Sequence, residues 1–213
     1  MTMLVKFFFT LLMSYLIGSI PTAYWFGKYL KGLDIRQHGS GNVGATNAFR
    51  VLGKGLGTLV LLIDILKGII TTALVADGFG LTEVDQRIIL GIVTVIGHNW
   101  TIFLRFKGGK GIATSLGVLL GLMVRIKGLR LAVGLTLSTW IVTFLVTGIV
   151  SLASLVAAMA LPILMVVTRQ HLELVILGVV LCVFVIYRHR PNLKRLMDGT
   201  ESRVSLSYRR KSV

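Results

Sequence analysis

Three short segments hold most of the groups in this chain that could do chemistry. The first, HGSGNVGATNAFRVLGKGLG, runs from residue 38 to 57 and contains six glycines with few large apolar side chains. Glycine lets a backbone come close to an anion and turn several N–H groups toward it. Ser40, Asn42, Thr46 and Asn47 add side-chain hydrogen-bond partners, and the segment closes on Arg50 and Lys54. Gly39, Gly41 and Gly44 fit G-x-G-x-x-G. That fingerprint binds dinucleotides only after a strand in a βαβ unit. Here an apolar run of membrane length precedes it, so the segment reads as a phosphate-holding loop.

The second segment is FKGGKG at 106–111, where Lys107, Gly108, Gly109, Lys110 and Gly111 stand directly before an apolar run. Backbone amides at a helix start, with two compact cations, make a phosphate cradle. It is not a Walker A loop, because Gly111 and not Ser or Thr follows Lys110. In the third segment, YRHRPN at 187–192, Arg188, His189 and Asn192 set a cation, an imidazole and an amide within about one turn of each other. His98 precedes the second segment, at the end of an apolar run. Asp64 and Lys67, three apart inside another, can offset each other's charge and read as structural glue.

Carboxylates are few and scattered, with no D-x-x-D-G or H-E-x-x-H pattern. The expectation is a site with no metal and no cofactor, where two phosphorylated molecules meet and one is already activated. The lone Cys182 lies inside an apolar run, which rules out an internal disulfide and leaves it a packing residue.

These segments must be positioned by membrane helices. Hydrophobic residues make up 54% of the chain and charged ones 15%, with a mean hydropathy of +0.84, too apolar for an ordinary soluble domain. A bilayer span needs roughly 20 apolar residues. Such runs lie near 4–26, 57–76, 88–104, 112–125, 130–149, 151–168 and 172–187. The expected fold is therefore an all-α integral membrane protein, one polytopic domain over 1–213. It has seven transmembrane helices and glycine-rich cytoplasmic loops that form the active site. Five or six spans remain open, and the GIVSL stretch around Ser151 decides between a tight turn and the middle of one long helix.

Lys and Arg number 23 against 8 Asp and Glu. Anionic partners are expected: anionic membrane lipid and phosphorylated metabolites, not nucleic acid. Basic residues mark cytoplasmic loops. Lys28, Lys31, Arg36, Arg50, Lys54, Arg105, Lys107, Lys110 and the basic tail 188–213 fall on one face, which is thereby cytoplasmic. Arg87, Arg125, Lys127, Arg130 and Arg169 fall on the other, and Arg125, Lys127 and Arg130 run against the rule. The tail would lie along an anionic inner leaflet. Oligomeric state is not readable from the sequence, and function as a monomer is the expectation.

The ordered set GSGNVGATN, GHNWTIFLRFKGGKG and YRHRPN, with DILKG at 64–68 and VSLAS at 150–154, resembles the bacterial membrane acyl-phosphate:glycerol-3-phosphate acyltransferases. The resemblance spans almost the whole chain. It implies a seven-helix inner-membrane enzyme that moves a fatty acyl group from acyl phosphate to the sn-1 hydroxyl of glycerol 3-phosphate. Lysophosphatidate and inorganic phosphate would be the products, in phospholipid synthesis. Carried over residue by residue, it makes Ser40, Arg50, His98, His189 and Asn192 catalytic, and the second segment the glycerol 3-phosphate site. Gly39, Gly41, Asn42, Gly44, Thr46, Asn47 and Arg188 join the binding set. The chain departs from the family pattern at Thr101, where a proline is usual, which alters backbone rigidity more than chemistry.

Direct attack of the hydroxyl on the acyl carbonyl is the expected route, with the Ser40–Asn47 loop holding the departing phosphate. The base is His98, His189 or a substrate phosphate oxygen. An acyl-serine at Ser40 lacks an assignable activating pair. The reading from another class is a membrane transporter of an organic phosphate, which the basic loops would also suit; no inverted repeat in the hydropathy supports it.

Overall fold

The computed structural model describes residues 2–204, and all regular structure among them is helical. The helices are α1 (Met3–Ser19), α2 (Thr22–Lys31), α3 (Ala45–Val51), α4 (Lys54–Gly78), α5 (Val84–Asn99), α6 (Ile112–Arg125), α7 (Leu129–Thr147), α8 (Val150–Val167), α9 (Leu172–Arg188) and α10 (Arg190–Met197). Four of them, α4, α5 with its turn to Leu104, α7 and α8, are each long and apolar enough to cross a membrane. Two bent pairs, α1 with α2 at 45° and α9 with α10 at 62°, raise the count to six. Apolar α6 is shorter, at 14 residues.

The run expected as one span over 4–26 is broken at Pro21, which has no N–H to continue α1 and starts α2 at an angle. Breaking the ladder frees carbonyls inside the bundle, and distant side chains satisfy them. Thr101 Oγ1 donates to Ser19 O, and Lys67 Nζ donates to Ile20 O at 2.6 Å and to Asp64 Oδ1. Asp64 and Lys67 are both about 3% exposed, so the pair and the proline break explain each other. Thr101 itself sits at φ −67, a value that a proline ring would also impose.

Elsewhere the run near 88–104 stops being α-helical at Asn99, and the run near 57–76 extends over Lys54–Gly78 with a π-helical stretch at Ile70–Val75. Gly148, at φ +68, ends α7 and makes a tight turn into α8, which settles the GIVSL stretch as a break between two helices. The basic tail is not a free extension. It forms α10, then doubles back so that the Val204 amide donates to Gly148 O at 2.8 Å. Residues 205–213 of that tail lie outside the described residues.

Small residues set the close crossings. A Cβ on Gly18 would overlap the backbone of Thr94, and one on Gly117 the carbonyl of Ile65, so α1 meets α5 and α6 meets α4 backbone to backbone. Val95, Val118, Leu122, Leu129, Met165 and Leu177 fill the centre between α5, α6, α7, α8 and α9. Leu131, Ile141, Leu145 and Val146 of α7 face outward, as a lipid-facing helix requires.

Candidate active site

The first glycine-rich segment is shaped by one amide side chain. Asn47, fully buried on α3, accepts a hydrogen bond from the Ser40 amide at 2.9 Å. Its Nδ2 donates to the carbonyls of His38 at 3.0 Å and Ile35 at 3.3 Å. The turn it ties requires Gly39 and Gly41 at φ +61 and +69, where only glycine is comfortable. Ser40 stands exposed between them, and its hydroxyl has no partner among the described residues. Amides from Asn42 to Thr46 likewise take no hydrogen bond among the described residues. Thr46 is half-buried on α3, and Arg50 is exposed near its end.

The second segment lies flat on the end of α5. The Gly108 amide donates to Asn99 O at 3.1 Å and the Gly109 amide to His98 O at 3.0 Å. A Cβ on Gly108 would overlap the His98 carbonyl, and one on Gly109 the His98 imidazole at Nε2. These glycines are therefore demanded by close packing, and their amides are engaged. The unpaired amides among the described residues run instead from Lys110 to Thr114, across Gly111 (φ +80) and the first turn of α6. A helix start with free N–H groups is where an anion is held.

The third segment braces the second. Arg188 donates through Nε to Gly109 O at 2.9 Å and through Nη2 to Gly108 O at 2.7 Å. Asn192, 4% exposed, accepts from Lys110 Nζ and donates from Nδ2 to Glu201 Oε1 at 2.6 Å. Ser151 and Arg195 complete the Glu201 carboxylate at 2.7 and 2.6 Å. Burial raises that carboxyl, but the bonds from Ser151, Arg195 and Asn192 outweigh it and hold Glu201 below the usual range. Because Asn192 gives its NH2 to Glu201, its oxygen must face Lys110. Burial pushes the Lys110 ammonium down to about 8, with Arg195, Arg50 and Arg188 adding repulsion against the pull of Glu201. His189, 3% exposed, donates Nδ1–H to Val185 O at 2.8 Å, which leaves the lone pair on Nε2.

His98, Gly108, Gly109, Lys110, Gly111, Arg188, His189 and Asn192 thus share one end of the bundle, and Lys107 stands exposed at its rim. Leu104 packs in one cluster with Ile35 and Val43, which draws the first segment alongside, near enough for Arg50 to act on Lys110. Ser40, Asn42 and Thr46 make no hydrogen bond to the other two segments among the described residues.

Three of the expected site groups are engaged within the protein. Asn47 shapes the loop, with both of its side-chain polar atoms paired among the described residues. Arg188 grips two carbonyls of the second segment. The Gly108 and Gly109 amides are paired with the end of α5, and in this segment the amides without a partner among the described residues start at Lys110. Two residues went unnoticed in the sequence. Glu201 was hidden as a carboxylate inside a basic tail. Asn99 has no signature around it, yet it is fully buried beside Gly111 with neither amide atom paired among the described residues. Among the described residues no three His, Cys, Asp or Glu side chains gather as a metal would need.

Comparison with known proteins places this arrangement in context. The family described as glycerol-3-phosphate acyltransferase matches residues 8–199. A glycerol-3-phosphate acyltransferase of Fusobacterium nucleatum subsp. nucleatum is 46% identical over 197 residues, 92% of this chain and 97% of the relative. One from Gloeobacter violaceus is 41% identical over 194 residues, 90% and 91% of the two chains. Among solved structures, the glycerol 3-phosphate form of PlsY, an integral membrane glycerol 3-phosphate acyltransferase, superposes with a TM-score of 0.82 at 37% identity. That match covers 93% of this chain and 96% of the other. The lysophosphatidic acid form gives 0.80 at 36% identity, with 93% and 95% covered.

Proposed function

Since the chain belongs to the glycerol-3-phosphate acyltransferase family, we propose that it transfers a fatty acyl group from acyl phosphate to the sn-1 hydroxyl of glycerol 3-phosphate. It is a membrane acyltransferase of phospholipid synthesis, and the products are lysophosphatidate and inorganic phosphate. The observation that carries the reading is the row of free amides from Lys110 into α6. Beside it Asn192 holds the Lys110 ammonium, a socket for the phosphate of the acceptor.

In the proposed reaction the sn-1 oxygen forms a new C–O bond to the acyl carbonyl carbon, and the bond from that carbon to the phosphate oxygen breaks. The leaving phosphate carries away the electron pair. An acyl phosphate is a mixed anhydride, so its departing group needs charge stabilisation more than a proton. The free amides from Asn42 to Thr46 and the Arg50 guanidinium would supply it. Ser40, exposed at the tip of the same turn, offers its hydroxyl as a hydrogen-bond donor to one of the two substrates.

The hydroxyl proton needs an acceptor. His98 is 7% exposed, with its Nε2 packed against Gly109, and His189 is 3% exposed. That burial favours a substrate phosphate oxygen as the base, with the two imidazoles supporting the loops. We further propose that α6 is a seventh span and that the loop end faces the cytoplasm, in a bacterial inner membrane. The functional unit would be a single chain bearing anionic lipid at its surface.

The test offers donors one at a time to purified protein in detergent with labelled glycerol 3-phosphate and chelator. Acyl phosphate should give lysophosphatidate, and acyl-CoA should not. Product from acyl-CoA alone would reject the donor assignment.

A further inference from the structure

The end of the bundle away from the three loops has a second cationic pocket, which acyl transfer does not use. The turn from α4 to α5 and the end of α6 enclose about 240 Å³ lined by Asp77, Gly80, Leu81, Thr82, Arg87 and Arg125. Roughly 16 Å of α5 separates Arg87 from His98, at 1.5 Å per residue.

Its charges do not balance. Arg87, 2% exposed, donates to Thr72 O at 2.9 Å and to one oxygen of Asp77, while Arg125 takes the other oxygen of the same carboxylate. Two guanidiniums share one counter-charge, and Arg87 Nε is buried with no partner among the described residues. Arg87 is buried but paired with Asp77, so the uncompensated charge falls on Arg125 at the opening, where an anion can complete it. Arg125 is 55% exposed at the side chain, so its other N–H groups can turn into the opening. Glu83 and Asp85 on the turn into α5 are exposed and bond Thr82 Oγ1 and the Gln86 amide, not the arginines. From the other side Lys127 and Arg130 stand exposed, and Arg169 lies beyond Gln170, which donates to Gly128 O at 3.1 Å. Arg125, Lys127 and Arg130 are the residues that run against the charge rule for this face. As a topology signal they are misplaced, whereas an anion in the pocket explains Arg125, which lines it.

We propose that this pocket binds a phosphate group, namely the phosphodiester of an anionic phospholipid in the leaflet opposite the active site. The pocket opens at the helix ends, the depth at which lipid phosphates lie. Inorganic phosphate is the soluble source of the same group. Arg125 reaches the phosphate oxygens, Arg87 supplies the fixed charge behind it, and the Thr82 hydroxyl turns from Glu83 to the phosphate.

The test uses the full chain in detergent, titrated separately with phosphatidylglycerol, phosphatidylcholine and inorganic phosphate. Lipid adducts are read by native mass spectrometry, and thermal unfolding is followed for all three. Phosphatidylglycerol should bind and raise the unfolding temperature. Arg125→Gln should weaken that binding about tenfold, with the acyl-transfer rate unchanged. Thr82→Val, which leaves the ion network intact, should weaken it about threefold. The pair Lys28→Gln and Lys31→Gln, near the other end, should leave it unaltered. Stabilisation by inorganic phosphate with the same Arg125 dependence and no lipid preference would support the pocket and assign the soluble source. Equal binding of every ligand by wild type, Arg125→Gln and Thr82→Val would overturn the proposal.

Discussion

Lys110 joins the site's geometry to its electrostatics. With its ammonium lowered to about 8, it is a cation at neutral pH and loses its proton just above. The KM for glycerol 3-phosphate should therefore rise as pH climbs through about 8, measured in initial rates at saturating acyl phosphate. Stability should respond with the opposite sign. The unfolded lysine keeps its proton up to about 10.5, so between 8 and 10.5 the unfolded state binds more protons and stability increases with pH. Lys110→Gln should raise the KM for glycerol 3-phosphate about 10- to 100-fold, the loss of one charge-assisted contact, with the KM for the donor nearly unchanged. Asn47→Asp separates loop shape from ligand contact. A carboxylate can still accept from the Ser40 amide, but it cannot donate to Ile35 and His38. Turnover should fall sharply while Lys110-dependent acceptor binding persists. Residue types and spacing singled out the three segments, because glycine, asparagine and lysine in apolar surroundings have few other uses. Spacing could not tell that Asn47, Arg188 and the Gly108 and Gly109 amides are turned inward, since that depends on contacts between segments far apart in the chain.

At the scale of elements, hydrophobic length located the helices, because bilayer thickness fixes it. Their breaks were harder to read. Pro21 looked like one residue in a long apolar run, but its effect depends on Thr101 and Lys67 arriving from other helices to satisfy freed carbonyls. The tail looked like a topology signal until Glu201 folded it back onto Ser151 and Asn192. The Asp64–Lys67 pair yields a direct prediction. Lys67→Met strands a buried carboxylate and should destabilise the protein by about 3–5 kcal/mol, read from unfolding in detergent. The double variant Asp64→Leu with Lys67→Met should recover most of that loss. Equal destabilisation in both would mean that the pair is not what holds the break at Pro21.

For the whole molecule, the single-sided gathering of the three segments decides what chemistry is possible, and orientation decides where it happens. With Cys182→Ala as background, Thr82→Cys should react with an impermeant maleimide added outside spheroplasts. Lys107→Cys should react only after permeabilisation. Labelling in the reverse order would invert the assigned topology. The central claim is that the acyl group passes in one step from phosphate to glycerol on this loop-bearing end. Rapid-quench turnover of carbonyl-labelled acyl phosphate by the purified chain tests it most directly, with and without glycerol 3-phosphate. The account predicts one lysophosphatidate for each phosphate released when acceptor is present, and no label on the protein when it is absent. A labelled acyl-enzyme formed without acceptor and discharged on its addition would contradict it.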